Sequence, residues 1–237
     1  MRDPYLYDDI DVLRNLKEIR TSNELRQAEG EITGYTLALV YSQSFNAFNT
    51  ETLCEIHRII FDDLFEWAGE FRTISLIKHE DVLGGDSVRY THPKQIKKEL
   101  RDISKEVAKL KKSEPKVDLL FKLVRITAKI WQTHPFREGN TRTVISFIAL
   151  LAAHLDIEFE YSMFEKHAAY VRNALVWASQ GIYSKYEYLE RIFYDAAGVL
   201  PADGDIDASD LKNYTHIEGY YVVDYTEQPH IYVEDAD

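Results

Sequence analysis

The chain has 237 residues, 45% of them apolar, and its 16 Tyr, 11 Phe and 3 Trp supply too much burial for a disordered polymer. The formal charge of −12 makes non-specific attraction to a nucleic-acid backbone a poor expectation, and 10 acidic residues against one Lys between Pro201 and Asp237 put −9 of it in that last stretch. A single cysteine, Cys54, excludes an internal disulfide framework and a Cys-based zinc site.

The opening MRDPYLYDDID has no basic-then-apolar leader pattern, so a soluble cytoplasmic protein is expected. Helical periodicity then dominates. Ser22 is placed to cap a helix running to about Gln43. Thr50 or Thr52 opens a second, through Leu53, Ile56, Ile59, Ile60 and Leu64, before Gly69. Phe71–Lys78 and Ser87–Thr91 flank HEDVLGGD, whose Gly84-Gly85 marks a turn, so one β-hairpin is predicted. Pro93 opens a highly charged helix, about Lys94 to Lys112, and Lys116 to Gln132 forms a more apolar one ending at His134-Pro135.

After a short polar loop, Thr141 to Leu155 is apolar nearly all round and reads as a central helix. Its apolar run, Val144 to Leu155, includes Ser146 and His154 and is too short to span a bilayer. Helices near Ser162–Ser179 and Ser184–Ala197 complete the body. Gly198 and Pro201 mark a boundary. The expected class is mainly α: a helical bundle with one small β-hairpin over residues 1–200, and an acidic C-terminal appendage over 201–237.

The chemistry concentrates between the two apolar helices, in His134-Pro135-Phe136-Arg137-Glu138-Gly139-Asn140-Thr141-Arg142-Thr143. Charged groups in such a place are expensive to bury without a partner. Gly139 lets backbone approach a ligand closely, and Asn140 suits a cap or a left-handed turn. The free N–H groups of the following helix make an anion site. Arg142 in that first turn opposes the helix dipole, which is easier to understand if it faces a phosphate. Glu138 is a hard oxygen ligand of the kind that holds Mg²⁺ beside nucleotides. His134 has the chemistry of a general base. Singly, each residue has an ordinary structural use; their order and spacing together describe phosphoryl or nucleotidyl transfer. No HExxH or comparable His pair supports a metalloprotease.

HPFREGNTRTVI resembles the core motif of the Fic family, HPFx(D/E)GNGRxxR, matching at His134, Pro135, Phe136, Glu138, Gly139, Asn140 and Arg142. PYLYDDIDVLRN and FEWAGEFRTISLIK are similar to the family's N-terminal arm and pre-motif region, so the resemblance covers about residues 4 to 197. It implies an all-α fold with a small hairpin and transfer of AMP from ATP to a Tyr, Ser or Thr hydroxyl of a target protein, the chain itself included. On that reading His134 deprotonates the acceptor and Glu138 holds Mg²⁺. Backbone N–H groups around Gly139, Asn140 and Thr141, with Arg142, stabilise the phosphates, and Phe136 anchors the loop. The hairpin is the flap that aligns the target, with Ile77 and Lys78 beside the site, and Tyr170 and Asn173 fall near adenine and ribose.

Two departures matter: the family's Gly after Asn is Thr141, and its second Arg is Ile145. That Arg pairs with the γ-phosphate and with an inhibitory glutamate, and losing one such contact costs about 1–3 kcal/mol of productive binding. The alternatives are therefore a Doc-like kinase using the γ-phosphate, although Thr141 stands where Doc-type motifs carry Lys, and a weak ATP-binding module. The inhibitory pattern (S/T)xxxE(G/N) has two partial matches: Glu218-Gly219, with Tyr214 at the hydroxyl position, is preferred over Glu29-Gly30, with Leu25 there. A separate antitoxin and a homo-oligomer are compatible with the family; a nucleic-acid or membrane partner is not expected.

Overall fold

Eight α-helices form within residues 3–199, the part of the chain that the structure, a computed structural model, describes. They are α1 (Ser22–Ser42), α2 (Thr50–Phe61), α3 (Ile96–Val107), α4 (Lys116–Thr133), α5 (Asn140–His154), α6 (Ser162–Lys166), α7 (Ala168–Ala178) and α8 (Glu187–Ala196). The acidic stretch from residue 201, with Glu218, lies outside the described residues.

Helix starts follow local hydrogen bonding. Thr21, one residue before the predicted cap, accepts from the Glu24 N–H at 3.3 Å and donates to the Glu24 carboxylate at 2.6 Å. At α2 the cap is Asn49, whose Oδ1 accepts from the Thr52 N–H at 3.0 Å. Pro93 opens a single 3-10 turn before α3, which stops at Val107. The predicted 162–179 helix breaks at His167 into α6 and α7.

Helices α4 and α5 are the centre of the bundle. α5 packs against α1, α2 and α4, while α4 also meets α3, α7 and α8. Leu119, Leu120, Leu123, Val124 and Trp131 on α4, and Val144, Phe147, Ile148 and Leu151 on α5, are buried. Each such side chain contributes roughly 1.5–3 kcal/mol. The loop joining them, 134–139, is thus strung between two rigid posts. The N-terminal arm packs on the same core: Tyr5 meets Trp67 edge-on at 5.5 Å, and its hydroxyl accepts from the Thr73 N–H at 3.1 Å.

The expected hairpin is reduced to a chain reversal. Among the described residues its arms are joined by one antiparallel bridge, His79 to Ser87, around a 3-10 turn, Asp81–Leu83. Ser87 supplies the reason, because its Oγ takes the Lys78 N–H at 3.2 Å, a donor that a ladder would have used. Side chains still alternate as in a strand, with Arg72, Ile74, Leu76, Lys78 and Glu80 buried. No helix among the described residues is long and apolar enough to cross a membrane.

Candidate functional site

Helix α4 ends at His134, whose φ of 47° is a left-handed conformation that non-glycine residues rarely adopt. Arg72 fixes this exit. Its Nε donates to the His134 carbonyl at 2.7 Å, its terminal nitrogens to the carbonyls of Ile74 and Thr91, and its backbone N–H to the Pro135 carbonyl at 2.8 Å. Burial pushes this guanidinium down to about 10, which leaves it charged.

The His134 ring is 1% exposed, with Tyr90 against it at 4.1 Å and Trp131 edge-on at 5.5 Å. Its Nδ1 lies 3.3 Å from the Trp131 carbonyl, which can only accept, so Nδ1 carries the hydrogen. Nε2 keeps a lone pair, buried and without a hydrogen-bond partner. Burial first, then the cations of Lys78, Arg172 and Arg72, hold the ring well below the usual imidazole range, and Glu138 opposes them. This is a neutral imidazole with one nitrogen open to accept a proton.

The loop beyond is locked from inside. Asn140 neither caps α5 nor turns left-handed. It is the first residue of that helix, and its side chain closes the loop by donating to the Phe136 carbonyl at 2.8 Å and accepting from the Phe136 N–H at 3.0 Å. Phe136 is fully buried and stacks on His57 at 3.8 Å. His57 bridges two strands of backbone: its Nδ1 accepts from the Gly69 N–H at 2.8 Å, and its Nε2 lies 3.1 Å from the Glu138 carbonyl. Burial pushes His57 down to about 3, so it stays neutral and donates through Nε2. Arg137 turns inward to Asp3, at 2.7 Å.

Gly139 precedes α5 with φ 75°, and a Cβ there would stand 2.2 Å from Cε2 of Phe61. No side chain fits that position. Its N–H donates to Oε1 of Glu138 at 2.9 Å, and Oε2 of the same carboxylate lies 3.8 Å from Nζ of buried Lys78. One carboxylate therefore occupies both a backbone donor and a lysine.

Thr141 accepts from Nε1 of Trp131 at 3.0 Å. Beside it, the first N–H groups of α5 have no acceptor within their own helix, at the place where the sequence reading expects an anion site. Arg142 is engaged elsewhere: it donates to Oγ1 of Thr33 at 2.7 Å, lies 2.9 Å from Oε2 of Glu29, and rests over Phe61 at 4.9 Å. Ile145, one turn on, packs half-buried against the core.

Ile77, next to Lys78, is half-buried at the rim. Tyr170 is brought into the core instead, its hydroxyl donating to the Tyr188 carbonyl at 2.8 Å, and Asn173 is half-buried on α7. Sequence reasoning missed Arg72, His57, Glu80 and Arg172. The last two form a buried ion pair at 2.6 Å, with the Tyr90 hydroxyl donating to the same Glu80 oxygen at 3.2 Å. The available signals were weak, polar residues set among apolar ones in LCEIHRII for His57 and YVRNALV for Arg172.

Residues 47–152 match the Fic/DOC family. The chain is 30% identical over 173 residues to "Probable protein adenylyltransferase Fic" of Escherichia coli (strain K12), covering 70% of this chain and 80% of that protein. It is 31% identical over 157 residues to the protein of the same name from Salmonella typhimurium, covering 65% and 74%. Among solved structures it resembles the N-terminal Fic domain of a Bartonella effector protein from Bartonella sp. AR 15-3, with TM-score 0.70 and 19% identity over 81% of this chain and 90% of that one. The BepC protein of Bartonella tribocorum with bound AMPPNP has the same fold, at TM-score 0.67, 24% identity, and 81% and 95% coverage.

Proposed function

The chain belongs to the Fic/DOC family, and on that premise we infer that it is a protein adenylyltransferase, moving AMP from ATP to a hydroxyl of a target protein. The observation that carries the reading is the His134 ring, neutral, oriented by the Trp131 carbonyl, with Nε2 open. That nitrogen takes the proton of the acceptor Tyr, Ser or Thr hydroxyl as the oxygen attacks the α-phosphorus. The bond from that phosphorus to the bridging oxygen breaks, and pyrophosphate leaves with the electron pair. The N-terminus of α5 receives the phosphate oxygens on its open N–H groups, between Gly139 and Arg142.

Glu138 suits Mg²⁺, being a single hard carboxylate beside the proposed phosphate site. Such a site leaves most of the coordination to phosphate and water. Glu138 would hold the ion, which would supply positive charge to neutralise the phosphates. Glu29, through Arg142, is the inhibitory carboxylate in this reading, because an Arg held by a carboxylate is withheld from phosphate. The segment carrying Ile77 and Lys78 is assigned the role of aligning the target in this reading.

The test uses ATP labelled at the α- or the γ-phosphate, with Mg²⁺, beside His134→Ala. Label from the α-position that disappears in the variant supports adenylyl transfer. Label from the γ-position alone makes the protein a kinase, the alternative that Ile145 in place of the second Arg leaves standing. No label from either position in wild type or Glu29→Gly reduces it to an ATP-binding module.

A further inference from the structure

Arg172 reaches from α7 into the site with its side chain 12% exposed, and its partner Glu80 is 4% exposed. Its guanidinium lies 5.1 Å from the centre of the Trp131 ring, whose Nε1 donates to Thr141 in the first turn of α5. One indole therefore separates this cation from the anion site. Lys78 and Arg172 are each held by a buried carboxylate, and both cations depress His134.

A buried ion pair is poor evidence of stabilisation, since desolvation offsets most of the attraction. Around Arg172 the helix is apolar, with Val171, Ala174, Leu175 and Val176 all buried, so an apolar residue would pack there at lower cost. Meanwhile the position that supplies a second phosphate cation in the motif is Ile145, and Arg142 is bound to Glu29 and Thr33. A triphosphate anchored on α5 carries several negative charges past this point, and guanidinium matches phosphate in a two-bond fork.

We propose that Arg172 is a nucleotide-binding residue that takes the β–γ end of the triphosphate in place of the cation lacking at position 145, with Glu80 holding it until the nucleotide arrives. This rests on the ATP reading above. Glu80 is then a competitor for Arg172, and its departure also loosens Tyr90, which Glu80 holds against His134.

The experiment is calorimetric titration of the full chain with ATP and with AMP, both with Mg²⁺, for wild type, Arg172→Gln, Arg172→Lys and Glu80→Gln. Expected are at least tenfold weaker ATP binding in Arg172→Gln, AMP binding within threefold of wild type, partial recovery in Arg172→Lys, and several-fold tighter ATP binding in Glu80→Gln. ATP binding unchanged in a folded Arg172→Gln overturns the proposal, as does an equal loss for AMP. Should Arg172→Gln not fold, Glu80→Gln decides alone: a clasp that merely fastens the segment predicts unchanged or weaker ATP binding, which overturns the proposal. Wild type that binds no ATP sinks the adenylyltransferase reading itself, whereas wild-type binding with a silent Arg172→Gln sinks only this assignment.

Discussion

Glu29 and Arg142, on helices α1 and α5, are joined at 2.9 Å, and Thr33, one turn beyond Glu29, accepts from the same guanidinium. Residues four apart share a helix face, so α1 grips Arg142 at two points. Coupling free energies between two sites in a protein are typically about 1–3 kcal/mol. Glu29→Gly should raise the rate of α-label transfer roughly 5- to 100-fold by that measure. An unchanged rate would mean that Arg142 needs no release.

The acid side of the pH profile should be flat. With His134 held well below the usual imidazole range, the base stays unprotonated as pH falls from 8 to 6. An exposed imidazole base would lose about half its activity near pH 6.5. Measuring kcat/KM between those pH values decides the point.

Stability should behave oppositely. His57 and His134 are buried neutral, His57 with its value pushed to about 3. Below about pH 6.5 the unfolded chain binds protons that the folded chain refuses, so stability is full above that pH and falls on acidification. The slope is about 1.4 kcal/mol per pH unit for each imidazole. Urea unfolding at pH 7 and 5 should show it, and His57→Gln, which keeps a donor and an acceptor, should lower the slope by one proton.

At Gly139 even one methyl group is too many. Alanine there carries strain of about 1–3 kcal/mol from its positive φ, besides a collision with the Phe61 ring. Gly139→Ala should weaken ATP binding more than tenfold while leaving the helical circular dichroism intact. Normal affinity would show that the loop has slack.

Asp3 and Arg137 offer a test of burial. Asp3→Ala strands a charge that is 2% exposed, and should cost about 3–5 kcal/mol in urea. Adding Arg137→Met should restore most of that loss, because the pair as a whole stabilises little.

Apolar spacing made the helices and their order legible, and the charged loop between two apolar helices singled out the candidate site. Its clamps were not legible, because they join residues far apart in sequence: Arg72 to the His134 carbonyl, His57 to the Glu138 carbonyl, Glu29 to Arg142. The dipole argument placed Arg142 opposite a phosphate, yet α1 delivers a carboxylate there first. The Gly84-Gly85 turn signal pointed to a hairpin where the chain only reverses, because no turn signal reveals that the Ser87 hydroxyl takes the Lys78 N–H. Asn140 had several uses on paper, and only the fold of the loop turned it back onto Phe136.

Trp131 stands with its Nε1 on Thr141, perpendicular to the His134 ring, and with Arg172 over its face. Indole emission shifts with the charge and polarity around it, so this one ring gives the protein a built-in optical gauge. Set against Trp67 and Trp177 by comparison with Trp131→Phe, its fluorescence is expected to report proton uptake by His134 and, on the proposal above, release of Arg172 by Glu80, with no dye attached.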